Sequence, residues 1–585
     1  MPNPARAVIG TVVLVLLANA PAGALQASGV LVSADVPSLQ LILAEQELAS
    51  RDGLADPVGL AQERANLATA SSLLATLQKP GSFARTIALA QEGTRAQTRT
   101  LHLPWADAIV PVHASPSEAA RAVLAAHQTT PTPEEEQGLL RLDVQPEPVR
   151  GALTRVLDAF LAFDAAAQRA YAGADVAKLQ GLQDAAMQGP AQVDVARSAA
   201  EPGALLADAG VDLAPVFSAR VAMLAAVAGL RDALDLLPER AAAAACSPVA
   251  MLPVFSIDVT TCDNTYNDDV AFLLDVGGND LYGNNAGGSD VLGAGCGYIG
   301  HAAAALIDLA GEDRYVSGRD CGINGGGDIG VGFLFDARGD DTYTSGSFGT
   351  NGGGDLGVGF LLDASGDDTY TAGEWATNGG GTYGGQGFLL DAGGEDTYAA
   401  GEYATNGGGA AGVGFLLDAG GNDIYTARTF WGFLGGTATN GGGVEGVGFL
   451  LDAGGNDAYL AGTFGTNGGG YYAGVGFLFD AGGNDAYTAG DRGTNGGGNR
   501  GGVGVLLDAS GNDTYIGRGF GANGGTSDGT VCPPFLPCVN VPASGLLLDG
   551  GGRDTYRDAS TDCTDCTVVP KGLVGAQADS DDPPP

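Results

Sequence analysis

An internal repeat in the second half of this 585-residue chain is the strongest constraint on its fold. The run Gly-Val-Gly-Phe-Leu-Leu-Asp-Ala-Gly-Gly-Asn-Asp-Ile-Tyr, at residues 412–425, recurs with small changes along residues 258–556. Its leading aspartate returns at intervals of 33, 28, 27, 28, 27, 34, 28, 28 and 41 residues, so the period is 27–28 with three insertions. A fixed period of this size indicates a stack of similar units rather than a single globular core.

Three positions are constant in all ten copies. A second aspartate follows each leading aspartate after five residues, and a tyrosine follows two residues later. The leading aspartates are Asp275, Asp308, Asp336, Asp363, Asp391, Asp418, Asp452, Asp480, Asp508 and Asp549. The second aspartates are Asp280, Asp313, Asp341, Asp368, Asp396, Asp423, Asp457, Asp485, Asp513 and Asp554.

Each copy has the makings of one coil of a parallel β-solenoid. A short apolar strand, a glycine turn, a second strand at the tyrosine and a polar corner give three segments of about nine residues, whereas propeller blades need roughly 40–50. Six copies carry the corner Thr-Asn-Gly-Gly-Gly, which starts at Thr350, Thr377, Thr405, Thr439, Thr466 and Thr494. We expect ten coils, with the tyrosines and the Phe-Leu-Leu positions in the core and the corner asparagines in an amide ladder.

The preceding region, residues 25–250, has a different pattern. It is rich in alanine and leucine, and apolar residues recur at helical spacing in 153–161 and 223–234. The predicted fold class is therefore an N-terminal all-α helical domain followed by a ten-coil parallel β-solenoid. Residues 557–585 are predicted to be a cysteine-containing segment with a disordered acidic and proline-rich tail.

The N-terminus predicts export. Residues 1–24 combine Arg6, an apolar run of about ten residues and a small-residue cleavage site, as in a secretory signal peptide. No other run is long enough for a transmembrane anchor. The eight cysteines favour disulfides between nearest neighbours; a zinc site from Cys532, Cys538, Cys563 and Cys566 is the alternative.

The charge of the repeats requires a counter-ion. The net charge of the chain is −41, which argues against binding nucleic acid or anionic membranes. Residues 258–556 hold 37 acidic residues against eight arginines and no lysine, a balance of 8 − 37 = −29. Stacked coils would place like carboxylates about 4.8 Å apart, where each pair repels by roughly 3.5 kcal/mol at an effective dielectric constant of 20.

Bound Ca²⁺ is the predicted solution. Carboxylates and turn carbonyls are hard oxygen ligands that suit this ion. We expect each Ca²⁺ to lie between successive coils, with carboxylates from all twenty aspartates named above and carbonyls from the glycines. Two alternatives stay open: the aspartates cap their own turns, or some are protonated by mutual repulsion.

The run Gly-Gly-Asn-Asp-x-Tyr, as at residues 420–425, resembles the RTX family of secreted calcium-binding β-rolls. That family's nonapeptide is Gly-Gly-x-Gly-x-Asp-x-hydrophobic-x. The resemblance covers residues 258–556, with a longer period and with Asp-Ala in place of the first glycine pair. It implies that the second aspartate of each copy is a calcium ligand, helped by glycine carbonyls.

These features predict a secreted or cell-surface calcium-binding solenoid with a structural or adhesive role. Its partner would be an extracellular surface component, a glycan or another protein. One alternative is a polysaccharide-active β-helix enzyme; however, no catalytic constellation is found, and the four histidines have no metal-ligand spacing. The other is binding of ice or a crystalline glycan by the threonines of the Thr-Asn corners.

Overall fold

The computed structural model describes residues 112–187, 204–237, 246–292, 300–316 and, with short gaps, 324–579. The predicted signal peptide, residues 25–111 and the final residues of the tail lie outside the described residues. Cys246 and Cys262 form a disulfide, which confirms one of the expected nearest-neighbour pairs. The side chains of the other six cysteines, including the alternative zinc set, lie outside the described part of the chain.

The first described segments are helical. The helices are α1 (Pro116–Ala126), α2 (Pro133–Leu140), a 3₁₀ turn (Leu142–Val144), α3 (Glu147–Tyr171), α4 (Val176–Met187), α5 (Ala204–Asp208) and α6 (Ala214–Asp235). Proline stands in the first turn of α1, α2, α3 and α6, where its missing N–H costs no hydrogen bond. The predicted apolar stripes are confirmed: Leu153, Phe160 and Val227 are buried on α3 and α6.

The repeats form coils whose strands stack into four sheets, each named here for its sequence. The long-strand sheet contains Val249–Met251, Phe255–Ile257, Phe272–Leu274, Ala303–Ile307, Val331–Phe335, Val358–Leu362, Gln386–Leu390, Val413–Asp418, Val447–Asp452, Val475–Asp480, Val503–Asp508, Ser544–Asp549, Gly575–Asp579 and Val569–Pro570, in that order. The tyrosine sheet contains Thr265–Tyr266, Leu281–Tyr282, Arg314–Val316, Thr342–Thr344, Thr369–Ala372, Thr397–Ala400, Ile424–Ala427, Ala458–Ala461, Ala486–Ala489, Thr514–Ile516, Thr555–Arg557 and Asp562–Thr564.

Two sheets of very short strands complete the coil. The asparagine sheet contains Thr350–Asn351, Thr377–Asn378, Thr405–Asn406, Thr439–Asn440, Thr466–Asn467 and Thr494–Asn495. The glycine sheet contains Gly327–Asp328, Gly354–Asp355, Gly381–Thr382, Gly409–Ala410, Gly443–Val444, Gly470–Tyr471, Gly498–Asn499 and Thr526–Ser527. A separate hairpin pairs Gly529–Val531 with Val539–Val541.

The predicted parallel β-solenoid is confirmed, because equivalent residues of successive repeats pair in register, as Phe360 does with Phe388. The coil has four strands rather than the three segments expected, since the Thr-Asn corner and the glycines after it each form a short ladder. The predicted count of ten coils is not confirmed. All four strands are described over about six turns, since the asparagine sheet has six strands.

The interior of the solenoid is a leucine and tyrosine core. Along each long strand, alternate side chains point inward, and Leu361, Leu389 and Leu416 meet the tyrosines there. From Tyr282 to Tyr556 neighbouring tyrosine rings are nearly parallel, with centroids 4.6–4.9 Å apart. The predicted amide ladder is also confirmed, because each corner asparagine donates to the next, as Asn378 Nδ2 does to Asn406 Oδ1 at 2.8 Å.

The corner threonines do not face solvent. All six are at most 2% exposed. The hydroxyl of Thr377, for example, donates to the carbonyl of Gly380 at 2.9 Å. The prediction that this row binds ice or a crystalline glycan is therefore wrong, because the Gly-Gly-Gly turn folds over the threonine and uses its hydroxyl.

The helices pack on the outer face of the long-strand sheet. Phe160 lies 4.7 Å from Phe272 between ring centroids, and Phe217 contacts both Phe360 and Phe388. The guanidinium of Arg220 lies over the Phe360 ring at 4.6 Å. Helices and strands thus share one apolar core. A separate all-α domain is not confirmed, because the apolar stripes of α3 and α6 are completed by the solenoid.

No helix within the described ranges has both the length and the apolar character that a bilayer crossing requires.

Candidate metal centre

The leading aspartates end the long strands and hold the turns that follow. In nine copies, from Asp275 to Asp508, Oδ1 accepts the backbone N–H two residues on, at 2.8–3.2 Å. This is an Asx turn, one of the two alternatives left open above. The other oxygen, Oδ2, faces the tyrosine hydroxyls in the core. Tyr425, for example, lies 2.8 Å from Asp418 and 2.9 Å from Asp452.

The hydrogen count of this contact bears on the protonation of the leading aspartates in the central coils. A tyrosine hydroxyl carries one hydrogen, so it donates to only one of two carboxylate oxygens. Tyr398, Tyr425, Tyr459 and Tyr487 each lie within 3.1 Å of two leading aspartates. The second contact needs a hydrogen from the carboxyl group. The geometry is therefore that of a continuous chain in which neutral carboxylic acids and tyrosines alternate.

The second aspartates form a different column. In nine copies the backbone N–H of one second aspartate donates to Oδ1 of the next, at 2.5–2.8 Å. Each of these side chains is at most 2% exposed. In nine of them the other oxygen, Oδ2, has no hydrogen-bond partner. These nine are Asp280, Asp313, Asp341, Asp368, Asp396, Asp423, Asp457, Asp485 and Asp513. A buried carboxyl oxygen without a partner costs about 1–3 kcal/mol or more.

The two columns meet between coils in repeating groups of three. One group contains Asp396, Asp418 and Asp423, each of which offers an oxygen within 4.8 Å of the others. A group therefore takes one leading aspartate and the second aspartates of two successive coils. The same arrangement recurs at Asp280, Asp308 and Asp313, and at further steps along the axis.

Glycine lets the main chain approach this column. At Gly421 a Cβ atom would lie 1.6 Å from the carbonyl oxygen of Gly394 and 2.6 Å from Oδ1 of Asp423. Such separations are impossible, so glycine is required there. The space where a side chain would start is lined instead by a backbone carbonyl and a carboxyl oxygen, both suitable ligands of a hard cation.

Burial raises the pKa of every second aspartate for which a shift is resolved, and the neighbouring aspartates raise it further. The pKa rises to about 7 in Asp280, about 8 in Asp313, Asp457 and Asp513, about 9 in Asp423, about 10 in Asp396 and Asp485, about 11 in Asp341 and about 12 in Asp368. Burial also holds the pKa of the leading aspartates Asp308, Asp363, Asp452 and Asp508 well above the ordinary range. At neutral pH the second column must therefore hold either protons or cations.

The residues present could hold a cation. Orphaned carboxyl oxygens, neighbouring carboxyls and a glycine carbonyl make an all-oxygen donor set, of the kind that hard cations prefer. The twenty predicted residues divide into two roles. The leading aspartates from Asp275 to Asp508 commit their oxygens to turns and tyrosines. The second aspartates from Asp280 to Asp513, which the RTX resemblance also indicates, each keep one oxygen without a hydrogen-bond partner.

A third set of acidic residues escaped sequence reasoning. Asp290, Asp328 and Asp355 are at most 5% exposed and lie on the glycine sheet or beside it. The signal was present, since Gly-Gly-Gly-Asp occurs in two successive copies, at residues 325–328 and 352–355. It stands outside the constant positions of the repeat, so the repeat pattern does not single it out.

Three of the four histidines lie at contacts between helices and near the first coils, and His102 lies outside the described residues. His113 Nδ1 contacts Asp158 at 2.5 Å, and His127 Nε2 contacts Asp164 at 3.2 Å. The rings of His127 and His301 lie 5.3 Å apart between centroids. Burial, and then the charge of His127, lower the pKa of His301 to about 4. These contacts join helices α1 and α3 to each other and to the solenoid.

The fold and its aspartate columns define this chain as a parallel β-solenoid with a period of about 28 residues and buried acidic groups between its coils. Comparisons with protein-family models, with curated proteins and with solved structures found no match.

Proposed function

We propose that this chain is a secreted, calcium-binding β-solenoid with a structural or adhesive role outside the cell. The observation that carries the proposal is the column of nine buried Oδ2 atoms without hydrogen-bond partners, each beside carboxyls of the next coil. One Ca²⁺ at a step balances two charges and supplies the missing partner. Because Ca²⁺ is plentiful outside cells, its binding would couple folding to export.

The uniformity of the column supports a structural role rather than catalysis. An active site needs one constellation that differs from its surroundings. Here the same three-carboxyl group repeats from step to step, and its members are buried. The proposal therefore assigns no catalytic residue, and the helices on the long-strand sheet would serve attachment or assembly.

Metal content tests the proposal directly. Full-length protein purified without chelator should hold several calcium ions per chain by mass spectrometry of the elements, and overnight dialysis against EGTA at pH 8 should remove them. Binding should saturate when CaCl₂ is returned, whereas MgCl₂ should compete poorly because it demands a smaller, octahedral site. A chain that holds less than one ion and shows no heat of calcium binding would end the proposal.

One observation favours recognition of a neutral, ordered surface as a second function. The outward side chains of the tyrosine sheet between residues 342 and 516 are all exposed or half-buried and none is charged, in a chain of net charge −41. They are Thr342, Thr344, Thr369, Thr371, Thr397, Ala399, Ile424, Thr426, Ala458, Leu460, Ala486, Thr488, Thr514 and Ile516. This face replaces the buried corner threonines as the candidate for binding a crystalline glycan.

Charge placed on that face tests the second function. We expect Thr371→Glu with Thr426→Glu to abolish co-sedimentation with insoluble cellulose or chitin, because the carboxylates would disrupt a flat, neutral contact. Glu312→Lys and Glu395→Lys, on the exposed turns beside the second aspartates, are the matched controls. Equal sedimentation of all variants, or none by the wild type, would rule this function out.

A further inference from the structure

Two buried aspartates lie side by side where the helices meet the solenoid. Ser289 forms a parallel bridge with Gly327, which places Asp290 beside Asp328 on adjacent coils. Both side chains are at most 2% exposed. Asp355 follows on the next coil, in register with Asp328. These residues are separate from the leading and second aspartates, and lie on another side of the coil.

Helix α4 covers this pair with a neutral amide. Gln183 Nε2 lies 3.3 Å from Asp290 Oδ2 and 3.0 Å from Asp328 Oδ2. Gln183 is 2% exposed, and its Oε1 atom has no hydrogen-bond partner. An amide NH₂ group brings two hydrogens but no charge to two carboxyls. The negative charge of the pair is not balanced by this contact.

A second orphaned oxygen lies near the pair, at the end of α3. Tyr171, the last residue of α3, is 8% exposed, and its hydroxyl has no hydrogen-bond partner. Burial, and then the charges of Asp328 and Asp290, raise the pKa of this tyrosine well above its ordinary value. Two buried oxygens without partners beside two buried carboxyls are costly unless a ligand joins them.

We propose that a calcium ion binds between Asp290 and Asp328, with Gln183 Oε1 and the Tyr171 hydroxyl as further oxygen ligands. The donor set is entirely oxygen, as Ca²⁺ prefers. Binding requires the Gln183 amide to turn over, which exchanges Nε2 for the atom that now lacks a partner. The ion would fasten α4 and the end of α3 to the first coils, so calcium would control the docking of the helices and not only the stacking of the coils.

Hydrogen exchange of the full chain, followed by mass spectrometry at pH 7.5, tests this site. On addition of CaCl₂ to metal-free protein, amides of Val176–Met187 should exchange about tenfold more slowly or better, as expected when an ion clamps the helix. Gln183→Leu should abolish this slowing. Gln180→Leu, one turn earlier on the same helix where the Gln180 amide donates to Asp184, is the control and should keep it.

A second variant is needed in case Gln183→Leu by itself releases helix α4 from the solenoid. If α4 of Gln183→Leu already exchanges faster than that of the wild type without calcium, Tyr171→Phe replaces it, because this change removes only a hydroxyl that has no partner. Tyr171→Phe should leave metal-free exchange unchanged and weaken the response of Val176–Met187 to calcium about tenfold in concentration. The proposal would be overturned if the wild type showed no response to calcium, or if Tyr171→Phe and Gln183→Leu both responded as the wild type does.

The same experiment separates this site from the second aspartates. Asp396→Asn should reduce calcium protection in Val413–Asp418 and leave that of Val176–Met187 intact. Protection confined to the helix would support the junction site and reject the proposed function of the solenoid. Protection confined to the coils would do the reverse.

Discussion

Metal-free protein should melt at a much lower temperature at pH 8 than at pH 5, and calcium should remove most of that difference. The second aspartates have pKa values of about 7 to 12 in the folded chain, against about 3.9 in an unfolded one. A carboxyl whose pKa is raised by folding stabilises the fold below its unfolded value. That stability is lost as the pH rises through the folded value. From about pH 4 up to the folded pKa values, therefore, the metal-free solenoid becomes progressively less stable.

The size of this effect follows from its repetition. One pKa unit corresponds to about 1.4 kcal/mol. If ionisation of each of the nine second aspartates costs the fold the equivalent of only one pKa unit, the free energy of unfolding falls by about 12 kcal/mol in total. That loss is comparable with the whole stability of a typical domain, about 5–15 kcal/mol. We expect metal-free protein at pH 8 to be partly unfolded, and calcium, which needs the carboxylates ionised, to restore it.

Melting followed by circular dichroism at pH 5, 6.5 and 8 makes the comparison. The protein should be stripped of metal beforehand and dialysed, because chelators act poorly in acid. Sodium chloride at equal ionic strength is the control for general screening, which weakens only exposed charges strongly. A metal-free melting temperature that stays constant or rises from pH 5 to pH 8 would show that the aspartates are ionised and satisfied without a cation.

The sequence predicts the solenoid well because its repeat records the stacking directly. Constant spacing of aspartate and tyrosine requires equivalent residues to meet at each coil, and the paired Phe360 and Phe388 are one result. The asparagine ladder follows from the same reasoning. The fourth strand does not, because Gly-Gly-Gly carries no side-chain pattern from which a strand could be recognised.

Burial of the corner threonines is what the sequence did not predict, although it did predict the buried tyrosines. Threonines in a polar corner suggest an exposed row. The Thr377 hydroxyl instead donates a hydrogen bond to a carbonyl of the glycine turn, and the side chain faces inward. The place of the helices was also not predictable, since the apolar stripes of α3 and α6 do not say what they meet. They meet Phe272 and Phe360, whose outward position depends on the strand alternation of the coil.

The division of roles between the two aspartate columns came from hydrogen counting in the structure. The residue pattern predicts all twenty aspartates as calcium ligands, with capping or protonation as alternatives, and only the RTX resemblance singles out the second aspartate of each copy. The tyrosine hydroxyls decide the matter for the leading column, because one hydrogen cannot serve both Asp418 and Asp452. The second column is left with unpartnered oxygens. This division predicts different results for the same chemical substitution in the two columns.

Asparagine should therefore be tolerated at Asp418 and not at Asp396, although both belong to one three-carboxyl group. Asparagine has the shape of a protonated aspartate. At position 418 its carbonyl can still accept the N–H of Gly420, and its amide can donate to the oxygens of Tyr398 and Tyr425. We expect Asp418→Asn to change the free energy of unfolding by less than about 1 kcal/mol, with or without calcium.

Asp396→Asn should have effects of opposite sign in the two states of the protein. In calcium-saturated protein it removes a charged ligand, so bound calcium should fall by at least one ion per chain. The free energy of unfolding should fall by several kcal/mol, as when a buried charge loses its partner (about 3–5 kcal/mol). In metal-free protein at pH 8 it removes a carboxyl that must be kept protonated, so it should raise the free energy of unfolding.

Glu395→Gln, which changes the same charge on the exposed neighbour, is the control. It should alter the free energy of unfolding by no more than about 0.5 kcal/mol in either state. Urea titrations of the three variants with CaCl₂ and without metal measure both effects. Loss of calcium and stability by Asp418→Asn equal to that by Asp396→Asn would refute the division, because both columns would then bind the ion alike.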